Sequence, residues 1–292
     1  MNIPKLIPPP NKTKKYWKKL IWRVISRPRR EVTLRTRNGI LTFNTRDRVL
    51  GKELFSTGHY EWNTILTLME TLDRHSLLKG SCMLDVGANI GMISIACLGN
   101  SFFEKAIAFE PEPYNFQLLQ KNVKQNNLAS RIECQNMAIS SQNGFLDLEI
   151  AKDNFGDHRV RPAKNVDPGF YREEKRKTRS VKAMRLDDFL ENSDVRDSIG
   201  LIWVDIQGHE GHLLAGAKNT IGKKIPLVCE FWPYAMKRAG TSKEQFLELA
   251  TELFTGYFHI QSGQPEWAPI DTLHRLFDEY RLPREMGTVL FV

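Results

Sequence analysis

The stretch Met83-Leu84-Asp85-Val86-Gly87-Ala88-Asn89-Ile90-Gly91 constrains the fold more than any other part of this chain. A short apolar run ends in an acid, turns over two glycines, and passes into the apolar helical pattern of residues 92–98. A glycine-rich turn between a buried strand and a helix lets the backbone approach a ligand closely, and the helix start favours an anionic group. Apolar runs at 82–86, 106–109, 132–134, 201–204 and 227–231 have the length of buried parallel strands, and residues 114–126 supply a further helix between them. This alternation predicts an α/β fold with a mostly parallel, doubly wound sheet and helices on both faces. Residues 58–78 read as a helix leading into the sheet. Later, 243–254 and 270–280 read as helices, while 256–261 and 287–292 read as the strands that bring the sheet to seven.

Between 143 and 198 the alternation breaks, which predicts an insertion; its charged run at 172–179 reads as a solvated loop. A chain of 292 residues near the upper limit for one core suits a catalytic domain at 58–292 behind an N-terminal extension at 1–57. Charge separates the two parts. Residues 1–50 carry 14 Lys and Arg against Glu31 and Asp47 alone, a surplus of +12 in a chain of net charge +8. Within that extension, Tyr16, Trp17, Leu20, Ile21, Val24 and Ile25 recur at helical spacing among Lys14, Lys15, Lys18, Lys19 and Arg23. Such a helix over 12–27 either docks on the domain or lies on an anionic membrane surface through residues 12–30. Residues 31–37 and 40–44 around Asn38-Gly39 read as a hairpin. The four cysteines are widely spaced in apolar segments, as expected of buried reduced thiols in a cytoplasmic protein. No apolar run is long enough to span a bilayer, and no signal-peptide core is visible.

The glycine turn admits two kinds of ligand. A dinucleotide site wants GxGxxG with pyrophosphate on bare amides, whereas here Gly87 and Gly91 are four apart and Asp85 ends the strand. A carboxylate there repels pyrophosphate and attracts the ammonium of a methionine moiety, which favours S-adenosylmethionine. Glu110, ending the next strand nineteen positions beyond Gly91, is placed to accept two ribose hydroxyls.

With Asp85-Val86-Gly87-Ala88-Asn89-x-Gly91, Phe109-Glu110-Pro111-x-Pro113, Leu186-Asp187-Asp188-Phe189-Leu190 and Asp205-x-x-Gly208-x-Glu210, the chain resembles the FkbM family of methyltransferases from about Gly58 to Phe231. The resemblance implies a Rossmann-like class I methyltransferase fold, S-adenosylmethionine as methyl donor, and O-methylation of a sugar, glycolipid or polyketide-type hydroxyl. It also implies that Asp85, Gly87, Asn89 and Gly91 contact the methionine part, Glu110 the ribose, and Asn136 and Met137 the adenine. Gln207 departs from the family, where an acid often stands, and puts in doubt any role resting on that position.

Methyl transfer to a hydroxyl needs in-line alignment and removal of a proton. Asp205, at the end of the fourth strand, faces either the methyl donor or the acceptor. His209 and His158 are candidate bases by their ordinary pKa. In the insertion, Asp157, His158 and Arg159 could orient a polyhydroxylated acceptor, and at the fifth strand's end Glu230 could bind hydroxyls while Trp232 stacks on a sugar face. No metal is expected. Two rival functions remain at this level: a nucleic-acid methyltransferase, suggested by the basic extension, and a catalytically silent S-adenosylmethionine-binding module, suggested by Gln207.

Overall fold

A computed structural model of the protein describes residues 30–161, 169–222, 224–261 and 264–292, with positions 18, 21, 22, 24–26 and 28 of the N-terminal segment. The elements run β1 (Glu31–Thr36), β2 (Gly39–Asn44), α1 (Leu50–Thr57), α2 (Trp62–Arg74), β3 (Cys82–Val86), α3 (Met92–Gly99), β4 (Lys105–Phe109), α4 (Pro113–Gln125) and β5 (Ile132–Gln135). There follow β6 (Ala138–Ile139), β7 (Gly144–Ile150), β8 (Arg159–Val160), β9 (Lys177–Met184), α5 (Leu186–Phe189), β10 (Ile199–Val204), α6 (Glu210–Gly216) and α7 (Lys218–Ile221). The chain ends with β11 (Leu227–Phe231), α8 (Pro233–Arg238), α9 (Lys243–Leu253), β12 (Gly256–Gln261), β13 (Gln264–Pro269), α10 (His274–Glu279) and β14 (Gly287–Phe291).

The main sheet has the order β13-β12-β14-β11-β10-β3-β4-β5. Strands β5, β4, β3, β10 and β11 are parallel, and β14 and β12 close the sheet antiparallel. Chain order reverses between β3 and β10, so the crevice beyond their carboxyl ends is the place for a ligand. The expected helices on either side of β4 are present. The sheet has eight strands instead of seven: β13 pairs with β12 at the edge, and its Pro265 and Pro269 hide it from a strand pattern.

The break at 143–198 is a second sheet of order β6-β9-β7-β8. Its charged run at 172–179 is exposed at most positions, as expected, but it forms a short helical turn and the start of β9, and it contains one buried acid. Glu173 and Glu149 are fully buried; Arg159 Nη1 donates to Glu173 Oε1 at 2.7 Å and Arg238 Nη2 donates to Glu149 Oε1 at 2.8 Å. Tyr234 Oη adds a bond to Glu173 at 2.9 Å. Because Tyr234 and Arg238 sit on α8, these pairs fasten the small sheet to the main domain. Removing one partner leaves a buried charge uncompensated, so Glu173→Ala should cost about 3–5 kcal/mol of stability, read by chemical denaturation.

The expected hairpin is present, but it is built into the body. Two amides of α4 and that of its C-cap bond β2: Asn122 and Thr42 exchange bonds at 2.7 and 3.1 Å, Asn126 accepts from Ile40 N at 2.8 Å, and Gln125 donates to Ile40 O at 2.7 Å. An open strand edge is thereby covered. Leu41 and Phe43 join the same core as Met83 and Trp203. Of the expected basic helix, positions 18, 21, 22, 24 and 25 are helical, Ser26 is in a turn, and the remainder of 12–27 lies outside the described residues. Trp22 is buried against Phe43 and Phe55. All four cysteines are free thiols; Cys82, Cys97 and Cys229 are buried and Cys134 is half-buried. No described helix is long and apolar enough to cross a membrane.

Candidate active site

A cavity of about 420 Å³ opens beyond the carboxyl ends of β3, β4, β10 and β11, within the range of small-molecule sites. Its floor is the glycine turn. Gly87 has φ +87°, and a Cβ there would lie 1.9 Å from the Asp205 backbone oxygen, so the crossing of two strand ends requires glycine. Asn89 is also left-handed at φ 51°, and its amide donates to Glu110 Oε2 at 2.9 Å; Glu112 N donates to Glu110 Oε1 at 2.8 Å. These bonds aim the Glu110 carboxylate at the cavity, and burial pushes its pKa to about 8. Asp85 accepts from Ser94 N at 3.1 Å and from Ser94 Oγ, and burial raises it to about 6. Asn89 Oδ1 is buried without a partner.

Not every residue of the expected set reaches the space. Asp85, Gly87, Asn89, Glu110 and Met137 line it. Gly91 does not; it caps α3 at φ 88° and leaves room for Leu119. Asn136 also lies outside the wall, its amide donating to Glu110 O at 2.8 Å. Asp187, in the Leu-Asp-Asp-Phe-Leu motif, accepts from Thr220 N at 2.8 Å and supports the start of α7. Glu210 folds the loop before α6 by accepting from Ile206 N and Gly208 N at 3.3 and 3.2 Å. Both act on the frame.

The opposite wall is acidic. Asp205 and Glu230 end β10 and β11, and Gln207 Nε2 donates to both, at 2.6 Å to Asp205 Oδ1 and 2.9 Å to Glu230 Oε2. Burial raises both carboxyls, and Asp205 raises Glu230 further by charge repulsion. A neutral amide donor at 207 bridges what a third carboxylate would drive apart. Glu61, which the sequence pattern did not single out, stands at the start of α2 in a left-handed conformation, φ 48°. Its carboxyl faces the cavity, deep among protein atoms but open to solvent through it, and burial with the nearby Asp205 and Asp85 charges pushes it to about 8. It makes no side-chain hydrogen bond or ion pair among the described residues. Among the described residues, eight non-glycine positions have positive φ, and three of them, Glu61, Asn89 and Gln207, line this one cavity. Backbone strain gathers at functional sites.

The insertion forms the cover. Phe155 O accepts from Asn89 Nδ2 at 3.1 Å and from Asn115 Nδ2 at 2.8 Å, while Phe155 N donates to Asp47 Oδ2 at 3.0 Å. His158 Nδ1 accepts from Ala151 N at 3.1 Å, so its proton sits on Nε2, and burial lowers its pKa to about 4. It can donate a hydrogen bond to a ligand but cannot take a proton from one. His209 bonds Ser140 Oγ through Nε2 at 2.9 Å; burial lowers it to about 3, and its Nδ1 has no solvent contact. Neither histidine has the properties of a base at neutral pH. Asp157 is held by Arg159 and Arg176 at 2.6 Å each. Trp232 does not offer a free face: the Arg159 guanidinium covers it at 4.4 Å and its Nε1 donates to Pro283 O at 2.7 Å. Its rim still lines the cavity. Among the described residues, no three His, Cys, Asp or Glu side chains converge to hold a metal ion.

These ionisations set a pH dependence. Glu110 and Glu210 (raised by burial to about 8 and 7) have an ordinary value of 4.5. The unfolded chain releases their protons first, so stability falls as pH rises towards 8. His158 and His209 are neutral in both states above 6.5 and do not oppose this. Without ligand, the melting temperature should drop between pH 6.5 and 8 by roughly 5 °C, for a net loss of about 2 kcal/mol. Differential scanning calorimetry across that interval checks it.

Residue types and placement fit S-adenosylmethionine: carboxylates for its cationic groups, Glu110 for the ribose, the unpartnered Asn89 Oδ1, and apolar walls at Met92, Pro111 and Met137 for the adenine. A family model described as a methyltransferase FkbM domain matches residues 85–257, more than half of the chain. "Methyltransferase 1" of Beauveria bassiana is 24% identical over 204 residues, covering 65% of this chain and 77% of the relative. "2-O-methyltransferase NoeI" of Sinorhizobium fredii is 29% identical over 156 residues, covering 51% of this chain and 62% of the relative. A crystal structure of methyltransferase FkbM from Methylobacillus flagellatus overlaps with a TM-score of 0.39 at 18% identity, covering 73% of this chain and 44% of that one.

Proposed function

We propose, from the premise that this chain belongs to the FkbM family of methyltransferases, that it methylates a hydroxyl oxygen of a sugar, glycolipid or polyketide-type acceptor. S-adenosylmethionine, when bound, supplies the electrophilic methyl group on a sulfonium. Asp85 and Asp205 would hold its cationic groups and Glu110 its ribose. The acceptor then lies against the acidic wall and the cover.

The observation that carries the reading is the unpaired Glu61 carboxyl facing the cavity. A hydroxyl nucleophile must lose its proton, and a carboxylate whose pKa is near the working pH does this well. The other acids are engaged: Asp205 and Glu230 by Gln207, Glu110 by two amides. A bound sulfonium would stabilise the Glu61 anion and bring its ionisation below about 8. His158 would donate Nε2–H to an acceptor oxygen. The relative named 2-O-methyltransferase NoeI supports oxygen as the atom modified. We also place the protein in the cytoplasm, where the methyl donor and reduced cysteines belong together.

The test is incubation with methyl-labelled S-adenosylmethionine and fractionated cell glycans, lipids and RNA. Label held as an alkali-stable ether in the glycan or lipid fraction is expected. Label in RNA would favour a nucleic-acid methyltransferase, and donor binding without transfer to any fraction would favour a silent binding module.

A further inference from the structure

We propose that the rim of the cavity is a docking surface for an anionic lipid bilayer. Val49, Tyr171 and Met286 are 49%, 38% and 38% exposed and also form part of the cavity wall, which puts them at its mouth. Phe170 and Leu282, 53% and 57% exposed, extend the same loops outward. The two loops form one surface. Tyr171 Oη donates to Pro283 O at 3.4 Å, the Tyr171 and Phe170 rings meet at 5.0 Å, and the Arg284 guanidinium lies over Phe170 at 5.9 Å. The surface is also fixed to the body, by Trp232 Nε1 donating to Pro283 O at 2.7 Å and Phe170 N donating to Tyr234 Oη at 2.6 Å. These apolar tips are therefore held outward by structure.

A contiguous exposed apolar patch marks an interaction surface, and charge selects the occupant. Arg172, Arg281 and Arg284 neighbour the apolar tips along the chain, while Arg48, beside Val49, is paired with Asp153 at 3.3 Å. Of the nearby acids, Glu285 is turned back to accept from Leu282 N at 2.8 Å, Glu173 is buried, Asp278 pairs with Lys243 and Glu279 accepts from Gln261, which leaves Glu174 exposed. Continuity with the basic N-terminal segment adds to this. Trp22 anchors that segment on Phe55 of α1, the helix that starts directly after Val49. Ile21 and Val24 beside it remain 49% and 65% exposed. Apolar groups that enter the headgroup boundary, ringed by cations for lipid phosphates, are what binding to an anionic bilayer needs. If the proposed methyl transfer holds, an acceptor anchored in the bilayer would meet the mouth directly; the docking itself does not depend on that reading.

The experiment is flotation of the full chain with vesicles of phosphatidylcholine alone or mixed with phosphatidylglycerol. Binding to the anionic vesicles that weakens with salt is expected, with little to the neutral ones. The double variant Phe170→Asp/Leu282→Asp should bind about tenfold less. Phe145→Asp and Trp267→Asp, at exposed residues that do not line the cavity, should bind as the unmodified chain does. Circular dichroism confirms folding of each; should the aspartate pair not fold, Phe170→Ser/Leu282→Ser replaces it under the same reading. Absence of binding to anionic vesicles, binding indifferent to lipid charge, or equal binding by the folded rim variant would each overturn the proposal. Calorimetric titration with S-adenosylmethionine, run separately, tests the methyltransferase reading without bearing on the docking.

Discussion

Replacing Glu110 by Ala should weaken S-adenosylmethionine binding by about a hundredfold or more. Two backbone amides, from Asn89 and Glu112, already fix this carboxylate, so its remaining acceptor capacity is presented with little orientational freedom to lose. Charge-assisted bonds to two ribose hydroxyls are worth about 1.5–3 kcal/mol each, and 1.4 kcal/mol is tenfold in affinity. The variant also frees the Asn89 amide, which would loosen the glycine turn and add to the loss. Isothermal titration calorimetry reads the effect. Affinity within a factor of about three of the unmodified protein would mean that the nucleoside is held elsewhere.

The second large effect is on turnover. Glu61→Gln keeps size and shape but cannot take a proton, so kcat should fall by about 10²-fold or more. Affinity for the methyl donor should fall by no more than about tenfold, the reciprocal of a sulfonium lowering the Glu61 ionisation by about one unit. The distinction matters: a loss confined to binding would make Glu61 part of the donor site, and unchanged kcat would remove it from the reaction. The proposed base also predicts a rise of kcat with pH that ends once the Glu61 carboxyl is ionised, and the Gln variant should lose that limb. By contrast, neither buried histidine should leave an inflection near 6.5, since burial lowers them to about 4 and 3.

Most of the parallel sheet was readable because its strands are continuous apolar runs, buried on both faces, and β3 and β11 start and stop where those runs do. The acids at the ends of β3 and β4 were readable for the same reason: a strand that ends in a carboxylate next to a glycine turn has few other uses. The small sheet was not. Its strands β7 and β9 mix charged and apolar residues, and the pairing of Glu149 and Glu173 with arginines far along the chain gives no local signal. Glu61 was missed because it precedes a helix by ordinary sequence, and only its left-handed backbone and the approach of β10 reveal it. Gln207 looked like a loss, since an acid often stands there in the family. Its two bonds to Asp205 and Glu230 give it a supporting role that only the folded geometry can show.

The fastening of Phe155 has a further consequence. Asp47, Asn89 and Asn115, from three separate parts of the chain, all grip its peptide group, and none of those bonds involves the phenyl ring. The roof of the site is thus suspended from its backbone, which leaves residue identity at 155 free to vary without unhooking it. What an exchange at 155 alters is the packing of its ring on Tyr114 and His158, at 6.0 and 6.1 Å between ring centres, and so the shape of the roof and not its suspension.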